Sequence, residues 1–208
     1  DSNVTVGCSA DSIQVDQFQL DGSEQNQAIS GNFLGSRGQS FTVGKSGLLH
    51  AIELSLFEIG SGGDLTVTIL DLSGGDLSTA PILGSVAVPE SAIGRAPTML
   101  TLARVTATLI DLSSLNLNVN EGDVLAFRLS SVRELPNLYA VRTAIFSDLY
   151  AGGAFFARNV FLAVGDMAFK TFIAVPEPDQ ADIVATSNQG NLVGIELDAG
   201  TARLIGVT

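Results

Sequence analysis

The chain has little of the residue types on which disulfide frameworks, zinc sites and aromatic ligand platforms depend. Its 208 residues contain one cysteine, one histidine and no tryptophan. The single cysteine, Cys8, excludes an internal disulfide and a cluster of thiolate ligands for zinc. The single histidine, His50, precedes a predicted strand and is accompanied by no Gly-x-Ser-x-Gly element, so it is interpreted as a turn or strand-edge residue and not as a catalytic base.

Positive charge is also scarce. Ten lysines and arginines stand against 22 aspartates and glutamates, which gives a net charge of -12 and an isoelectric point near 4.2. Such a surface repels phosphate backbones and anionic lipid headgroups, so the composition argues against nucleic acid as a partner. No window of the sequence approaches the roughly 20 consecutive apolar residues that cross a bilayer, so no membrane insertion is expected.

Glycine and short alternating apolar runs are abundant. Apolar residues make up 46% of the sequence and glycine occupies 22 positions, a composition that suits many short strands joined by tight turns. Three runs have an apolar residue at every second position, which places these residues on one face of the strand, as a half-buried strand requires. The apolar positions of these runs are Ile52, Leu54 and Leu56, then Leu65, Val67 and Ile69, then Leu125, Phe127 and Leu129.

Residues 39 to 175 contain about eight predicted strands, of which the first lies in "GQSFTVG". Another, "RVTATLIDL", alternates Val105, Ala107 and Leu109 with two threonines, and the glycine-rich "SDLYAGGAFFARN" is predicted as a loop. Because no helical periodicity competes, the pattern predicts an all-β chain that folds as an antiparallel two-sheet β-sandwich of jelly-roll type.

The sequence divides into four segments. Residues 1–38 are a polar N-terminal segment expected to pack on the sandwich or lead into it, and residues 39–174 form the sandwich. Residues 175–180 contain Val-Pro-Glu-Pro and are interpreted as a stiff linker, because two closely spaced prolines favour an extended backbone and end the ladder of the preceding strand. Residues 181–208 are predicted to form a short β-hairpin segment with turns at "NQGN" and "DAGT".

Five elements of the sandwich segment carry a family resemblance: "QSFTV", "GLLHAIELSLFEIGSGGDLTVTILD", "NLNVNEGDVLAFRLSS", "LYAGG" and "DMAFKTF". Through them, residues 39–174 resemble bacterial extracellular jelly-roll domains that are similar to carbohydrate-binding modules. The resemblance implies an exported protein, located outside the cell or at its surface, with a glycan or a protein there as its partner. The sugar-binding relatives carry tryptophan and tyrosine on the strand before "LYAGG", whereas this chain has only Tyr139 and Tyr150.

A second resemblance concerns the C-terminal segment. Residues 181–208 resemble the opening strands of a propeller-type repeat, through the strand, turn and strand of "GNLVGIELDAGTARLIG". It implies that the natural polypeptide continues beyond Thr208, so that the sandwich is one module of a larger protein.

The region from residue 139 to residue 158 is the predicted ligand-binding site, because it gathers aromatic and guanidinium groups around the glycine-rich loop. The residues assigned to it are Tyr139, Arg142, Tyr150 and Arg158. Two interpretations remain for Phe155 and Phe156 in this loop: they close the end of the core, or they are exposed for contact with a ligand.

Aspartates beside turns suggest a calcium site, since carboxylate and carbonyl oxygens are the ligands that calcium prefers. The residues assigned to it are Asp64, Asp71 and Asp76. The alternative is that these side chains cap backbone N–H groups of their own turns, which is the ordinary reason for aspartate in a turn.

No motif indicates a reaction. Glycoside hydrolysis needs two carboxylates close in space, and the available glutamates are Glu53, Glu58, Glu121 and Glu134. Without a nucleophile, metal or cofactor motif, the sequence favours a non-catalytic binding or structural module of a larger secreted or surface protein, which serves adhesion, a matrix or the presentation of other domains. A carbohydrate-binding module with its site near residues 139–158, with or without calcium, is the alternative, and a glycoside hydrolase is the third hypothesis.

Overall fold

The computed structural model describes residues 4–5, 11–20, 25–31, 35–96, 106–162, 164–176, 184–186, 192–198 and 201–206. These residues form strands and two 3-10 helices, η1 (Glu90–Ala92) and η2 (Ser113–Leu115), and they contain no α-helix, so the predicted all-β class is confirmed. In chain order the strands are β1 (Val4–Thr5), β2 (Ser12–Gln19), β3 (Gln25–Ile29), β4 (Arg37–Thr42), β5 (Gly47–Ile59), β6 (Leu65–Asp71), β7 (Ile82–Val88), β8 (Thr106–Asp111), β9 (Asn118–Val119), β10 (Val124–Ser131), β11 (Leu138–Ala144), β12 (Phe155–Ala157), β13 (Val160–Phe161), β14 (Asp166–Met167), β15 (Phe169–Val175), β16 (Val184–Thr186), β17 (Leu192–Asp198) and β18 (Thr201–Gly206).

The chain divides into two compact units, one of Ile13–Val175 and one of Asp1–Ser12 with Pro176–Thr208. In the second unit, β1, β16, β17 and β18 form a four-stranded sheet in that order. β17 and β18 form an antiparallel hairpin in which Asp198 pairs with Thr201. Residues 177–180 of the predicted linker, and Cys8, lie outside the described residues.

The larger unit is built from two sheets. One has six strands in the order β13-β12-β4-β10-β6-β7, and the other has eight, with the path β14-β11-β5-β15-β2, β3 beside β11, and β8 and β9 beside β5. Every pairing of these strands whose register the structure describes is antiparallel. The predicted antiparallel two-sheet arrangement is therefore confirmed, and the jelly-roll connectivity stays a prediction.

Aromatic rings from both sheets meet in the core. Phe41 of β4 and Phe127 of β10, in the six-stranded sheet, lie 6.3 Å apart between ring centroids. Phe169 of β15, in the eight-stranded sheet, lies 5.6 Å from Phe127 and 6.3 Å from Phe41. Because all three rings are buried, they hold the two sheets together by apolar burial.

The three alternating runs form strands with the predicted faces inward. Their nine apolar residues are all buried and belong to one core cluster. On β5, Glu53 and Ser55 are only half-buried, since they point to the opposite side of the sheet. β7 ends at Val88, immediately before Pro89. This is expected, because proline has no N–H to donate to the strand ladder.

Strand β8 buries the face opposite to the one that its apolar alternation predicts. Leu109 is 63% exposed, whereas Thr108 and Ile110 are buried. The cause is the register with β5: Ile110 lies opposite Ile52, which faces the core, and Leu109 lies opposite Glu53, which does not. The partner strand therefore decides which face of β8 is buried.

Two segments form strands where the sequence predicts none. The loop predicted at "SDLYAGGAFFARN" contains β12, which pairs with β4. The polar N-terminal segment contributes β2 and β3 to the sandwich. β2 is held by polar links: Gln17 N–H donates to Thr171 Oγ1 at 3.0 Å, and Gly44 N–H donates to Asp16 Oδ1 at 3.0 Å.

Candidate ligand-binding surface

The two tyrosines of the predicted site lie in the core. Tyr139, on β11, is fully buried and its hydroxyl donates to the backbone oxygen of Gly63 at 2.6 Å. Tyr150 is also buried, and its hydroxyl donates to Gln17 Oε1 at 3.0 Å. Burial raises the pKa of each phenol to about 12. Neither ring therefore offers a face on which a sugar could stack.

The loop that carries Tyr150 is fixed by a buried carboxylate. Asp166 Oδ2 accepts hydrogen bonds from the backbone N–H groups of Leu149 and Tyr150 at 2.7 and 2.9 Å. Its Oδ1 accepts one from Gln39 Nε2 at 3.0 Å, and Gln39 Oε1 accepts the N–H of Met167 at 2.9 Å. The elements "LYAGG" and "DMAFKTF" are thus bound to each other, and Asp166 has a structural role.

The two phenylalanines of this loop are buried on opposite sides of β12. Phe155 faces the core between the sheets and Phe156 faces the outer side of the six-stranded sheet. Gly38 makes room for Phe156, since a Cβ at this position would lie 2.2 Å from the Phe156 ring and 2.4 Å from Phe127 O. Both rings are therefore packing residues, which is the core interpretation of the two that the sequence allows.

The two arginines of the predicted site lie on different sheets. Arg142 follows the core residue Val141 on β11, so it points to the outer face of the eight-stranded sheet. Arg158 is exposed in the turn between β12 and β13, at the edge of the six-stranded sheet. The structure therefore does not bring the four predicted residues together, and only Arg158 belongs to the surface described below.

The aspartates predicted to bind calcium accept hydrogen bonds in or near their turns. Asp71 Oδ1 accepts from Ser73 N–H at 2.9 Å, Asp76 Oδ1 accepts from Ser78 N–H at 2.8 Å, and Asp64 Oδ1 accepts from Glu90 N–H at 3.3 Å. Hydrogen bonds from Ser73 and Ser78 lower the pKa of Asp71 and Asp76, because they favour the charged carboxylate. Among the described residues, no group of three histidine, cysteine, aspartate or glutamate side chains is arranged to hold a metal ion.

A buried ion cluster lies where β5 ends. Arg133 has a fully buried side chain, and its Nη2 lies 2.9 Å from Glu58 Oε2 and 2.9 Å from Glu90 Oε2. Its Nε donates to Gly63 O at 3.0 Å, and its guanidinium carbon lies 3.9 Å from the centroid of the Tyr139 ring. Arg95 adds a second cation 2.9 Å from Glu58 Oε1. Glu58 is thus ion-paired on both carboxylate oxygens.

The outer side of the six-stranded sheet carries a patch of hydroxyl groups and one arginine. In the register of the sheet, Gly38, Arg128, Thr68 and Ser85 form one row, and Ser130 and Thr66 are paired in the neighbouring row. Because Leu125, Phe127 and Leu129 of β10 face the core, Arg128 and Ser130 must face outward. We call the patch of Thr66, Thr68, Ser85, Arg128 and Ser130 the polar face.

Two clefts meet on the polar face. The first, of about 550 Å³, is lined by Arg128, Ser130, Arg158 and Asn159, together with Gly35 and Ser36, and we call it the arginine cleft. The second, of about 450 Å³, is lined by Asp64, Thr66, Ser130 and Ser131, among others. Ser130 lines both, so the two clefts adjoin, with Arg128 and Arg158 on the first and Asp64 on the second.

The side chain of Arg128 has no hydrogen bond or ion pair with any residue that the structure describes. Its side chain is half-buried on β10. On the neighbouring strand β4, Arg37 is buried and its Nη1 donates to Ser36 O at 2.9 Å. Burial lowers the pKa of Arg37, and the charge of Arg158 lowers it further. The cleft is therefore a cationic region in a chain of net charge -12.

Arg158 is placed in the cleft by an unusual backbone conformation. It has a φ of 58°, one of two positive values among the described non-glycine residues. It occupies the first position of the two-residue turn between Ala157 and Val160, where glycine is the usual residue. Its N–H donates to Ser36 O at 2.8 Å. Gly35 has a φ of 72° and lies against the Arg158 side chain, since a Cβ at this position would lie 2.8 Å from Arg158 Cγ.

The site predicted from the sequence includes Arg158 but not Arg128 or Ser130. The signal for Arg128 was present, because its apolar neighbours on β10 are predicted to face inward and so place it outward. Its position beside residue 158 depends on the pairing of β4 with both β10 and β12. That pairing is long-range, and no local pattern encodes it.

Comparisons with known proteins add no relative: no protein-family model, no curated protein and no solved structure matches this chain. In the described part of the chain, no helix is long and apolar enough to cross a membrane.

Proposed function

We propose that the chain is a non-catalytic binding module of a larger extracellular protein and that it binds a glycan on the polar face. The observation that carries the proposal is the Arg128 guanidinium group, which has no partner among the described residues and lies in the arginine cleft of this face. A half-buried charged donor without an internal partner has its hydrogen bonds available for water or a ligand.

The chemistry and shape of the polar face support a glycan. The hydroxyls of Thr66 and Ser130 and the amide of Asn159 supply donors and acceptors that match the hydroxyls of a sugar chain. The hydroxyls stand on the paired strands β6 and β10, which hold them more rigidly than loops would. The two clefts adjoin at Ser130, which favours an extended chain over a compact small molecule.

Two of the four candidate glutamates support a non-catalytic role. Glu53 Oε1 lies 2.6 Å from Lys170 Nζ, and Glu58 is paired with Arg133 and Arg95. A general acid or nucleophile of a glycoside hydrolase needs a carboxylate that faces the substrate. Glu53 and Glu58 are instead used in ion pairs. The extracellular setting comes from the resemblance of residues 39–174, and the membership of a larger protein comes from the resemblance of residues 181–208.

A glycan array with the full chain tests the proposal. Binding at about 1 mM ligand, which corresponds to about 4 kcal/mol, is the expected minimum. The double variant Thr66→Val/Ser130→Ala removes two hydroxyls of the polar face and should weaken binding about 30-fold, since each neutral hydrogen bond contributes about 1 kcal/mol. Ser114→Ala is the matched control, because Ser114 is exposed in η2, which contacts β5 of the other sheet.

An array without hits would contradict the proposal. Equal losses of affinity in the double variant and in Ser114→Ala would contradict the assignment of the ligand to the polar face.

A further inference from the structure

We infer that the arginine cleft binds a carboxylate or sulfate group, so that the glycan of the polar face is an acidic polysaccharide with widely spaced anionic groups. The polysaccharide part of this inference rests on the proposed function. The anion site itself rests on the geometry of the cleft.

The cleft offers several donors to a single anion. Arg128 and Arg158 line it from β10 and from the β12–β13 turn, and Ser130 and Asn159 add a hydroxyl and an amide. A guanidinium group presents two parallel N–H donors that match the oxygens of a carboxylate or a sulfate. Carboxylates that would neutralise Arg128 internally are absent among the described residues, so an external anion satisfies a charge that the fold leaves open.

The backbone conformation of Arg158 also supports an anion site in the cleft. A left-handed backbone is strained for a non-glycine residue, and glycine would occupy the position without strain. The turn therefore carries a guanidinium group where a smaller residue would fit better. Strain of this kind is concentrated at functional sites.

The net negative charge of the chain limits how densely charged a bound polyanion can be. At physiological ionic strength charges farther apart than about 8 Å are largely screened, so the cleft acts locally. A densely charged polymer would bring further anions onto a surface of net charge -12, where they meet repulsion. An anion flanked by neutral sugars avoids this cost, which favours a sparsely charged chain.

Calorimetric titration of the full chain with matched polysaccharides tests the inference. One pair is homogalacturonan with a minority of free carboxylates and the fully methyl-esterified form. A second pair is a sparsely sulfated galactan and its desulfated form, which separates sulfate from carboxylate as the source of the anion. Densely charged homogalacturonan completes the series.

Three variants probe the cleft. Arg128→Gln should weaken binding of the preferred acidic polymer about 10- to 100-fold, Arg128→Lys should weaken it less, and Arg158→Gly should weaken it while relieving the strained turn. Arg95→Gln removes the same charge at a side chain that is 64% exposed in the ion cluster of Glu58, and it should change affinity by less than about twofold.

Preference for either sparsely charged polymer over its neutral counterpart, lost in Arg128→Gln, supports the inference. Equal affinity for charged and neutral forms overturns it and leaves the proposed function standing. Equal effects of Arg128→Gln and Arg95→Gln also overturn it. If galacturonate or inorganic sulfate shifts the amide signals of β10 while no polysaccharide binds, the anion site stands and the glycan function falls.

Discussion

Arg128 and Arg133 belong to the same stretch of chain and have opposite environments. Arg128 lies on β10, half-buried, and has no internal partner in the described part of the chain. Arg133 follows the end of that strand, is fully buried, and contacts Glu58, Glu90, Gly63 O and the ring of Tyr139. The fold pairs the guanidinium group of Arg133 with two carboxylates, although its Nη1 has no partner, and it leaves the guanidinium group of Arg128 open.

The difference separates a structural charge from an available one. A buried ion is retained only when partners offset its desolvation, and its removal leaves those partners uncompensated. A half-exposed ion without partners costs the fold little and adds little to its stability. We therefore expect the ion cluster of Arg133 to stabilise the sandwich and the arginine cleft to serve a ligand.

The largest effect is expected from Arg133→Met. It leaves the buried carboxylate of Glu58 without its buried cation, so the free energy of unfolding should fall by about 3–5 kcal/mol in urea titration. The double variant Glu58→Gln/Arg133→Met should recover part of this loss, since the uncompensated charge is then gone.

Arg95→Met is the control for that measurement. Its side chain is 64% exposed and also pairs with Glu58, so the expected loss is below about 1 kcal/mol. Losses of the same size in Arg133→Met and Arg95→Met would show that burial does not distinguish the two arginines.

An intermediate effect is expected from alkaline pH. The chain has two tyrosines and no tryptophan, and burial raises the pKa of Tyr139 and Tyr150 to about 12 from an ordinary value of 10.0. Their contribution to stability is fully present below pH 10 and is lost as the pH rises toward 12, because the unfolded chain then ionises first. Tyrosinate absorbance should therefore appear near pH 12.

Circular dichroism recorded in parallel shows whether the fold persists during this titration. Tyrosinate signal near pH 10 from a chain that keeps its native spectrum would mean that the two phenols are open to solvent. That result would remove Tyr139 from the buried cluster and reopen the tyrosines as ligand contacts.

The smallest effect is expected from Arg128→Gln. Since Arg128 has no partner among the described residues, its replacement should change the free energy of unfolding by no more than about 0.5 kcal/mol. The measurement is the same urea titration. A loss above about 1.5 kcal/mol would mean that Arg128 is a structural residue like Arg133.

The sequence predicts the strands that obey one rule, apolar burial on alternate positions. Ile52, Leu54 and Leu56 on β5 follow it and are buried as predicted. β2 escapes prediction because its Ile13 and Phe18 are exposed and its attachment depends on Gln17, Asp16 and Thr171. A strand held by polar side chains has no periodic signal to read.

The site is harder to predict for a related reason. Tyr139 and Tyr150 are of the residue type that binds sugars. Local sequence does not reveal that their hydroxyls donate hydrogen bonds to Gly63 and Gln17, which are far away in the chain. Arg128 and Arg158 line the same cleft only because β4 lies between β10 and β12. Residue type is visible in the sequence, whereas burial and neighbourhood follow from long-range pairing.

Amide chemical-shift mapping with a glycan that binds is the most direct test of the polar face as the ligand site. The largest shifts should fall on Thr66, Arg128, Ser130 and the turn at Arg158 and Asn159. Shifts centred on Arg142 and its neighbours, on the outer face of the eight-stranded sheet, would contradict it.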